Sequence, residues 1–532
     1  MDAPWSLFDD DEGEGAGAAA APQALQAPLP PPLEPFVHLA AVLAAFVSRH
    51  AAGATEDLCA SGGAALAAHI GALCTASLRL HALLRRGGGG GGGGGAPGAE
   101  LGAAWAAVGA ASQAAAAAAW ARLRSPASWP HVAWREALCM ALLGQCVHCT
   151  ACAGDARGAM AALDAALILG APRAEIEGLV HFTEARAVEA GAGAPPPPPL
   201  PSLPPHAAAL PAALTLTTPG AWVPRQRVAP SRGAGSCASA PAPGEHPALS
   251  ALRAALDAPP LTPQAFAASH VAPSRPLVLT NLLAHWPALQ RWRHLDYWRA
   301  ALGHRTVPIE RGRALPGGSS SSAWGEELCL FQDFLAADMA QGLGEAGAGG
   351  GSGAGAGGGG GAGAGLSAAP SIAYMAQHAL FEQCPAFKDK GDYDIPAFLL
   401  AQEVGVDAQR VVSNLWMGTS GTVTHAHFDS YENVLGQVAG YKFVRLFPPG
   451  ERARLQALGA GSAGGSGTAA QGNVSTVDVE GEGFDAEGCL DAILGPGDAL
   501  YIPVGWWHYV RACTPSISLN MWWTPQGEEG GQ

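Results

Sequence analysis

The chain has 532 residues, including 72 glycines and 43 prolines, and a formal net charge of −15 at pH 7. This length allows two or three domains, whereas the negative charge disfavours a protein that binds nucleic acid through electrostatics alone, because phosphate contacts require basic patches. The apolar fraction of 48% owes much to alanine, so it does not indicate a membrane protein.

Residues 1–34 are acidic and then rich in alanine and proline, which predicts a disordered tail. The first residues, MDAPWSLFDDDEGEG, lack the basic start and apolar run of a secretory signal. We therefore expect an intracellular protein, in the nucleus and/or the cytoplasm, with its 11 scattered cysteines kept as reduced thiols. The negative charge suits a basic or neutral protein partner, and neither a membrane nor direct nucleic-acid binding is expected.

Residues 35–190 are predicted to form an α-helical domain that a glycine run interrupts. Within it, WPHVAWREALCMALLGQCVHC and GAMAALDAALILGAP show the apolar spacing of amphipathic helices. The cysteines of CVHCTAC advance by three residues along a helix, so core packing is favoured over a metal site there. Residues 191–246 are rich in proline, alanine and glycine and are predicted to be a linker.

Residues 247–526 are predicted to form the catalytic domain. After residue 410 the chain contains several short runs rich in Val, Ile, Tyr, Phe and Trp, each bounded by glycine or proline. Such runs are typical of an all-β sandwich or barrel. Two glycine-rich tracts, residues 347–365 and 459–467, are predicted to be insertion loops in this domain.

Three residues of this region form a candidate metal site. His427 and Asp429 stand two apart in a predicted strand, so their side chains point to the same face. His508 lies in the later strand-like run YIPVGWWHYV. Two imidazoles and one carboxylate make up the facial triad of non-haem Fe(II) oxygenases, which leaves coordination positions open. His425 shares that face by the same alternation, so a shifted ligand pair of His425 and His427 stays open.

Lys442 is a candidate anion-binding residue in the run GYKFVRLFPP. It alternates with Val444 and Leu446, which predicts that it points inward with them. A buried ammonium is costly unless it meets an anion, and a carboxylate of 2-oxoglutarate would be such a partner. The opposite arrangement, with Lys442 at the surface and Arg445 inward, is also compatible with the pattern.

Taken together, the HFD motif, the distal histidine, Lys442 and PGDALYIPVGWWHYV resemble the JmjC oxygenases. The chain is most similar to the family of JmjC-domain protein five, also called lysine demethylase eight. The matching segments include RPLVLTNLLAHWPALQRW, GTVTHAHFDSYENVLGQVAGYKFVRLFPP and NVSTVDVE. WPHVAWREAL and ALDAALILGAP also look like the helical domain of that family.

The resemblance implies an α+β fold: an N-terminal α-helical domain followed by a JmjC double-stranded β-helix, a cupin-like jelly roll with flanking helices. It implies Fe(II) as cofactor, with 2-oxoglutarate and O₂ as co-substrates. The implied iron ligands are His427, Asp429 and His508. The implied 2-oxoglutarate contacts are Tyr374, Thr424, Asn433, Lys442 and Asn520, and the implied substrate contacts are Glu310 and Trp416.

The same resemblance implies a protein substrate. Hydroxylation of an arginyl side chain is the first expectation, because a tryptophan face and a carboxylate suit a guanidinium. Demethylation of a histone methyl-lysine is an alternative that would use the same site, and the family is also associated with peptide cleavage. A non-catalytic JmjC-like module that docks chromatin proteins, or a related cupin holding zinc, are the remaining alternatives.

Overall fold

The computed structural model divides the chain into two compact units. The first comprises residues 1–197 with the short segments 304–307 and 326–331, and the second comprises the rest. The residues that the structure describes are 34–60, 63–87, 97–123, 132–191, 197–204, 220–228, 260–313, 325–341, 371–455, 473–475, 477–481 and 483–524.

The first unit is built from long helices whose buried faces share one core. Its long helices are α1 (Glu34–Ala60), α2 (Ala64–Gly87), α3 (Pro97–Leu123), α4 (Val132–His148), α5 (Ala156–Ile168) and α6 (Arg173–Gly191). Alanine lines much of this core, but larger side chains such as Trp105, Trp134 and Leu138 are also buried.

The segments 64–85 in α2 and 99–123 in α3 are apolar and long enough to cross a membrane by length and composition alone. Core helices of globular proteins satisfy the same criteria, and both helices contribute to this core.

A π-helical turn, Cys149–Ala153, joins α4 to α5. The turn ends at Gly154, whose φ of 59° reverses the chain, and Asp155 caps α5 by accepting a hydrogen bond from the Gly158 amide. In the CVHCTAC motif, Cys146 is fully buried against Thr183, and burial raises the pKa of its thiol to about 12. A protonated core thiol of this kind is a packing residue, as the helical spacing predicted.

Two β-sheets make up most of the second unit, although residues 306–307 and 326–330 of their strands are assigned to the first unit. The strands of the two sheets are β1 (Ala221–Trp222), β2 (Arg225–Arg227), β3 (Leu277–Thr280), β4 (Thr306–Arg313), β5 (Gly325–Leu330), β6 (Ser371–His378), β7 (Val412–Gly418), β8 (Val423–His427), β9 (Glu432–Ala439), β10 (Lys442–Phe447), β11 (Leu490–Leu494), β12 (Ala499–Ile502), β13 (Trp507–Ala512) and β14 (Ser516–Trp523). The smaller sheet has the order β1-β11-β10-β13-β8, and the larger has the order β2-β3-β12-β9-β14-β7-β6-β4-β5.

Short helical segments connect and flank these strands. They are Pro263–Phe266, Ala267–Val271, Ala288–Arg291, Leu295–Leu302, Phe331–Phe334, Leu335–Met339, Leu380–Gln383, Pro385–Lys388, Ala408–Arg410 and Pro449–Arg452. The α+β fold class, a helical domain followed by a cupin-like β domain with flanking helices, is therefore confirmed.

The inner faces of the two sheets pack against each other. Val444 and Leu446 of the smaller sheet join Leu435 and Leu500 of the larger sheet in one buried cluster, as expected for a β-sandwich. The chain passes from β9 to β10 at Gly440, which has a φ of 72°. A Cβ atom there would lie 2.1 Å from the carbonyl oxygen of Pro515, so only glycine fits this crossing.

The predicted linker contains ordered strands, which corrects that part of the domain assignment. Residues 221–222 pair with β11 and residues 225–227 pair with β3. Val223 and Val228 are buried, and Arg225 forms an ion pair with Asp498 at 2.6 Å. The prolines around this short segment give it the composition of a linker, so its two short strands are not evident from composition. The predicted N-terminal tail and both glycine-rich loops lie outside the described residues.

Candidate metal centre and co-substrate pocket

The candidate metal ligands converge at one end of the smaller sheet. His427 ends β8 and pairs directly with His508 on β13, and Asp429 follows β8 by two residues. One ligand atom from each of the three residues lies within 4.8 Å of the others. The His508 Nε2 atom is 3.6 Å from Asp429 Oδ2, and the His427 Nε2 atom is 4.0 Å from Asp429 Oδ1. These separations leave space for an ion between the three side chains.

Both histidines are held in the same way. His427 Nδ1 lies 2.8 Å from the carbonyl oxygen of His425, and His508 Nδ1 lies 3.0 Å from that of Trp506. A carbonyl can only accept a hydrogen bond, so each Nδ1 carries the proton and each Nε2 presents a lone pair. A backbone carbonyl on the second ring nitrogen is how proteins fix the tautomer of a metal-binding histidine.

A β-bulge in β8 decides which side chains enter the site. His508 pairs with His427 but Val510 pairs with Thr424, so three steps along β8 match two along β13. Thr424 and His427 therefore both line the cavity. His425 is exposed on the other side of the strand. The expectation that His425 shares the ligand face is wrong, because the bulge breaks the two-residue alternation on which it depended.

The residues of this site fit a divalent cation. Asp429 Oδ2 is buried and has no hydrogen-bond partner among the residues that the structure describes, which is costly for a carboxylate oxygen unless a cation meets it. His508 is buried, and burial together with the neighbouring His427 lowers the pKa of its imidazole to about 4. A neutral imidazole is the form that binds metal. Two such imidazoles and one carboxylate match the donor set of Fe(II) oxygenases.

Lys442 lies in the same cavity. Its side chain is 2% exposed, and burial lowers the pKa of its ammonium group to about 7. The Nζ atom donates a hydrogen bond to the Tyr374 hydroxyl at 3.5 Å, and that hydroxyl lies 3.4 Å from Thr424 Oγ1. Arg445 points to the opposite face of β10 and binds Asp491, so the arrangement with Lys442 at the surface is excluded.

The two asparagines predicted to contact 2-oxoglutarate also line the cavity. Within the described part of the chain, Asn433 Oδ1 and Asn520 Nδ2 are buried without a hydrogen-bond partner. Asn520 Oδ1 accepts a hydrogen bond from Trp416 Nε1 at 3.1 Å. Asn520 thus holds the indole of Trp416 and leaves its amide nitrogen available to a ligand.

The two predicted substrate contacts occupy different positions. Trp416 lines the cavity, with its ring 5.9 Å from that of Tyr374. Glu310 lies on β4 directly across from Tyr374 in the sheet register, but it is not among the residues that line the cavity. Its charge still acts on this region, since it contributes to raising the pKa of Tyr374 after the larger effect of burial.

The sequence did not single out the apolar wall of the cavity or its rim. Leu435, Ile502 and Val510 line the cavity, as does Trp522. The Trp522 ring stacks on Tyr431, which is 41% exposed, at a centroid distance of 5.5 Å. The inward alternation of β9, β12 and β13 could have identified the three aliphatic residues, but no local pattern marks Tyr431.

A family model described as a cupin-like domain matches residues 263–529, half of the chain. Lysine-specific demethylase JMJ30 of Arabidopsis thaliana is 33% identical over 268 residues, which cover 50% of this chain and 54% of that protein. Lysine-specific demethylase 8 of Xenopus tropicalis is 30% identical over 261 residues, 48% of this chain and 49% of that protein. The human bifunctional peptidase and (3S)-lysyl hydroxylase JMJD7 is 24% identical over 293 residues, which cover 50% of this chain and 83% of that protein.

The match to the cupin-like model contains all three candidate metal ligands and every residue that lines the cavity. The chain spans about half the length of the two demethylases. Sheet topology, ligand set and sequence likeness thus agree over the same residues. The chain belongs to the cupin-like family, as one of its JmjC-domain proteins.

Proposed function

We propose that this protein is an Fe(II)- and 2-oxoglutarate-dependent oxygenase that acts on a protein side chain. The observation that carries the proposal is the coexistence, in one cavity, of the candidate triad and a buried lysine. A triad alone would also suit a cupin that binds another metal. A buried ammonium next to it requires an anionic ligand, and 2-oxoglutarate is an anion that also chelates iron.

The three ligands would hold Fe(II) through His427 Nε2, His508 Nε2 and the Asp429 carboxylate. When bound, Fe(II) would allow O₂ to act as the oxidant, with 2-oxoglutarate as a two-electron reductant: one oxygen atom would enter succinate as CO₂ is released, and the other would be inserted into a C–H bond of the substrate. The facial arrangement leaves positions open for co-substrate and O₂.

The other cavity residues would bind and orient the co-substrate. Lys442 would pair with the distal carboxylate, and the hydroxyls of Tyr374 and Thr424 would donate hydrogen bonds to it. Asn433 Oδ1 and Asn520 Nδ2, which have no partner among the described residues, would be available to the co-substrate. The aliphatic wall of Leu435, Ile502 and Val510 would exclude water and so strengthen each of these polar contacts.

We infer an arginyl side chain as the group that is hydroxylated. Trp416 offers an indole face in the cavity wall and Glu310 places a carboxylate one strand away, which suits a guanidinium. The names of two relatives favour a methyl-lysine substrate instead, and that of a third describes a lysyl hydroxylase. Arginyl, lysyl and methyl-lysyl side chains are all positively charged, and the net charge of −15 on this chain favours a positively charged substrate. Histones and other chromatin proteins in the nucleus, or basic proteins in the cytoplasm, are candidate partners.

The test is succinate release from 2-oxoglutarate by the purified full-length chain with Fe(II) and ascorbate. Peptides with arginine, lysine or methyl-lysine would be compared as substrates, with mass spectrometry to detect a gain of one oxygen or a loss of one methyl group. We expect His427→Ala and Asp429→Ala to abolish turnover, because each removes a candidate metal ligand. His425→Ala is the matched control, since that exposed imidazole points away from the cavity, and should retain turnover.

The outcomes separate the alternatives. Peptide-stimulated turnover with an added oxygen on arginine supports the proposal in full, whereas methyl loss from lysine would replace arginine hydroxylation by demethylation. If His425→Ala abolishes turnover while His427→Ala does not, the ligand set is wrong. If the wild-type chain binds neither metal nor 2-oxoglutarate, the enzyme proposal fails and a non-catalytic interaction module takes its place.

A further inference from the structure

A short segment, residues 473–475, pairs with the strand that carries the metal ligands. In the smaller sheet β8 has β13 on one side, and this segment covers its other side. Val474 forms an antiparallel bridge with His427. The Ser475 amide donates to the Ala426 carbonyl at 2.7 Å, and the Phe428 amide donates to the Asn473 carbonyl at 3.1 Å. The segment therefore satisfies backbone groups that an edge strand would leave open.

Asn473 binds both polar backbone groups of Phe428. Its carbonyl accepts from the Phe428 amide, and its side-chain Nδ2 donates to the Phe428 carbonyl at 3.1 Å. The first of these groups belongs to the peptide plane that joins His427 to Phe428, and the second to the plane that joins Phe428 to Asp429. Asn473 thus fixes both peptide planes between the candidate ligands His427 and Asp429. The orientations of these planes set the directions in which the side chains of His427 and Asp429 leave the backbone.

This restraint on the backbone matters because no hydrogen bond to the buried Asp429 Oδ2 atom holds the carboxylate in place among the described residues. The ion-pair distances of Asp429 to the two histidines are 3.6 and 4.0 Å. Its position therefore depends on its backbone, which the Gly505 amide binds at the Asp429 carbonyl at 3.0 Å. The Phe428 ring, packed edge-on against Trp507 at 4.8 Å, completes the support.

The segment is itself firmly held. Ser475 is 3% exposed; its hydroxyl donates to the Leu455 carbonyl at 2.6 Å and accepts from the Val477 amide at 3.1 Å. Leu455 and Val479 are fully buried in the cluster that covers the outer face of the smaller sheet. The segment that contains Asn473 is thus connected through Ser475 to the buried core of the smaller sheet.

We propose that Asn473 is a positioning residue for the metal site, which it acts on through the backbone of Phe428. This inference rests on the proposed metal-binding function. Residues that orient metal ligands without touching the metal contribute ~10–100-fold to metal affinity, and the loss of Asn473 is expected to fall in this range.

The test uses Asn473→Asp and Asn473→Ala in the full-length chain, with Co(II) and Mn(II) affinities measured by chelator competition. Both changes remove the donor to Phe428, and the isosteric Asp variant still decides the matter if the Ala variant does not fold. Asn281→Asp is the matched control: it removes an equivalent amide donor, to the Val228 carbonyl at 3.2 Å, on a different part of the fold. We expect ~10–100-fold weaker metal binding in the Asn473 variants, an altered Co(II) absorption spectrum, and unchanged affinity in the control.

A new negative charge at residue 473 would by itself attract a cation, so weaker binding by Asn473→Asp cannot come from electrostatics. If both Asn473 variants bind metal as tightly as the wild type, the positioning role is refuted while the proposed oxygenase stands. If Asn281→Asp weakens binding equally, the effect is one of general stability and the inference also falls. If the wild-type chain binds no metal, both the inference and the proposed function fail.

Discussion

At the scale of single residues, the charge of Lys442 is expected to depend on whether a carboxylate of 2-oxoglutarate is bound beside it. Its ammonium is enclosed by Tyr374 and Trp416, with ring centroids at 5.5 and 5.9 Å. No carboxylate forms an ion pair with it in the part of the chain that the structure describes. Burial therefore lowers the pKa of Lys442 to about 7, and a bound carboxylate would raise that pKa again.

We predict that 2-oxoglutarate affinity falls as the pH rises above 7. Only the protonated amine pairs with the carboxylate, so binding requires proton uptake once the free pKa of about 7 is passed. Affinity should be nearly constant at low pH and weaken by up to about tenfold per pH unit above 7. Calorimetry with the Mn(II)-loaded protein at pH 6 to 9 would measure this. Lys442→Met should bind weakly with no such slope, and an equal slope in that variant would contradict the assignment.

The sequence predicted the individual site residues better than their surroundings. Alternation predicted His427 and Asp429 on one face of a strand, but β8 ends at His427 and Asp429 lies two residues beyond it. For Lys442 the alternation left both directions open, and the structure places this side chain in the cavity. The same rule failed for His425, because a bulge depends on the pairing of two strands and not on local sequence. The contact of Asn473 with Phe428 joins residues 45 positions apart, and no pattern in either segment indicates it.

At the scale of secondary-structure elements, the close approach of β6 and β7 positions the co-substrate pocket. Gly418 on β7 lies directly opposite Tyr374 on β6. A Cβ atom at residue 418 would lie 2.7 Å from Tyr374 Cδ2 and 2.9 Å from the Ala373 carbonyl. The Tyr374 ring therefore occupies the space that a side chain would need.

We predict that Gly418→Ala weakens 2-oxoglutarate binding by displacing the Tyr374 hydroxyl, and destabilises the fold by ~1–3 kcal/mol through overpacking. Calorimetric binding and thermal unfolding would measure the two effects. Gly71→Ala is the control, because a Cβ atom there meets nothing within 4 Å. An unchanged affinity in Gly418→Ala would show that Tyr374 does not contact the co-substrate.

Strand content was predictable for the long runs and not for the short ones. β9 and β10 are buried along their whole length, and their valine, leucine and phenylalanine content is evident in the sequence although each strand also buries polar residues. β1 and β2 have two and three residues and form only because β11 and β3 offer free edges. Their existence is decided by tertiary pairing, which the linker-like composition around them concealed.

At the scale of the whole molecule, ligand binding should stabilise the unit that contains the cavity. All three candidate metal ligands and the cavity lining belong to the second unit. A ligand present at 100 times its dissociation constant stabilises a folded state by about 2.7 kcal/mol. The effect of metal and a 2-oxoglutarate analogue on unfolding is therefore large enough to detect.

We predict that Mn(II) with N-oxalylglycine raises the melting temperature of the wild-type chain and slows hydrogen exchange in β8 and β13. The reason is that both strands carry ligands whose positions the metal would fix. Asp429→Ala should show neither effect at the same ligand concentrations. Equal stabilisation of that variant would mean that the ligands bind elsewhere in the chain.

The bulge in β8 also has a consequence for sequence comparison. Thr424 and His427 point into one cavity at a spacing of three residues, which an unbroken strand does not allow. Deleting one residue between them would reduce the spacing to two, which an unbroken strand places on one face, so the hydroxyl and the imidazole would both still point into the cavity without a bulge. A one-residue alignment gap at this point in a related chain that retains both residues would therefore mark the loss of the bulge and not the loss of the pocket, whereas a spacing of three requires the bulge.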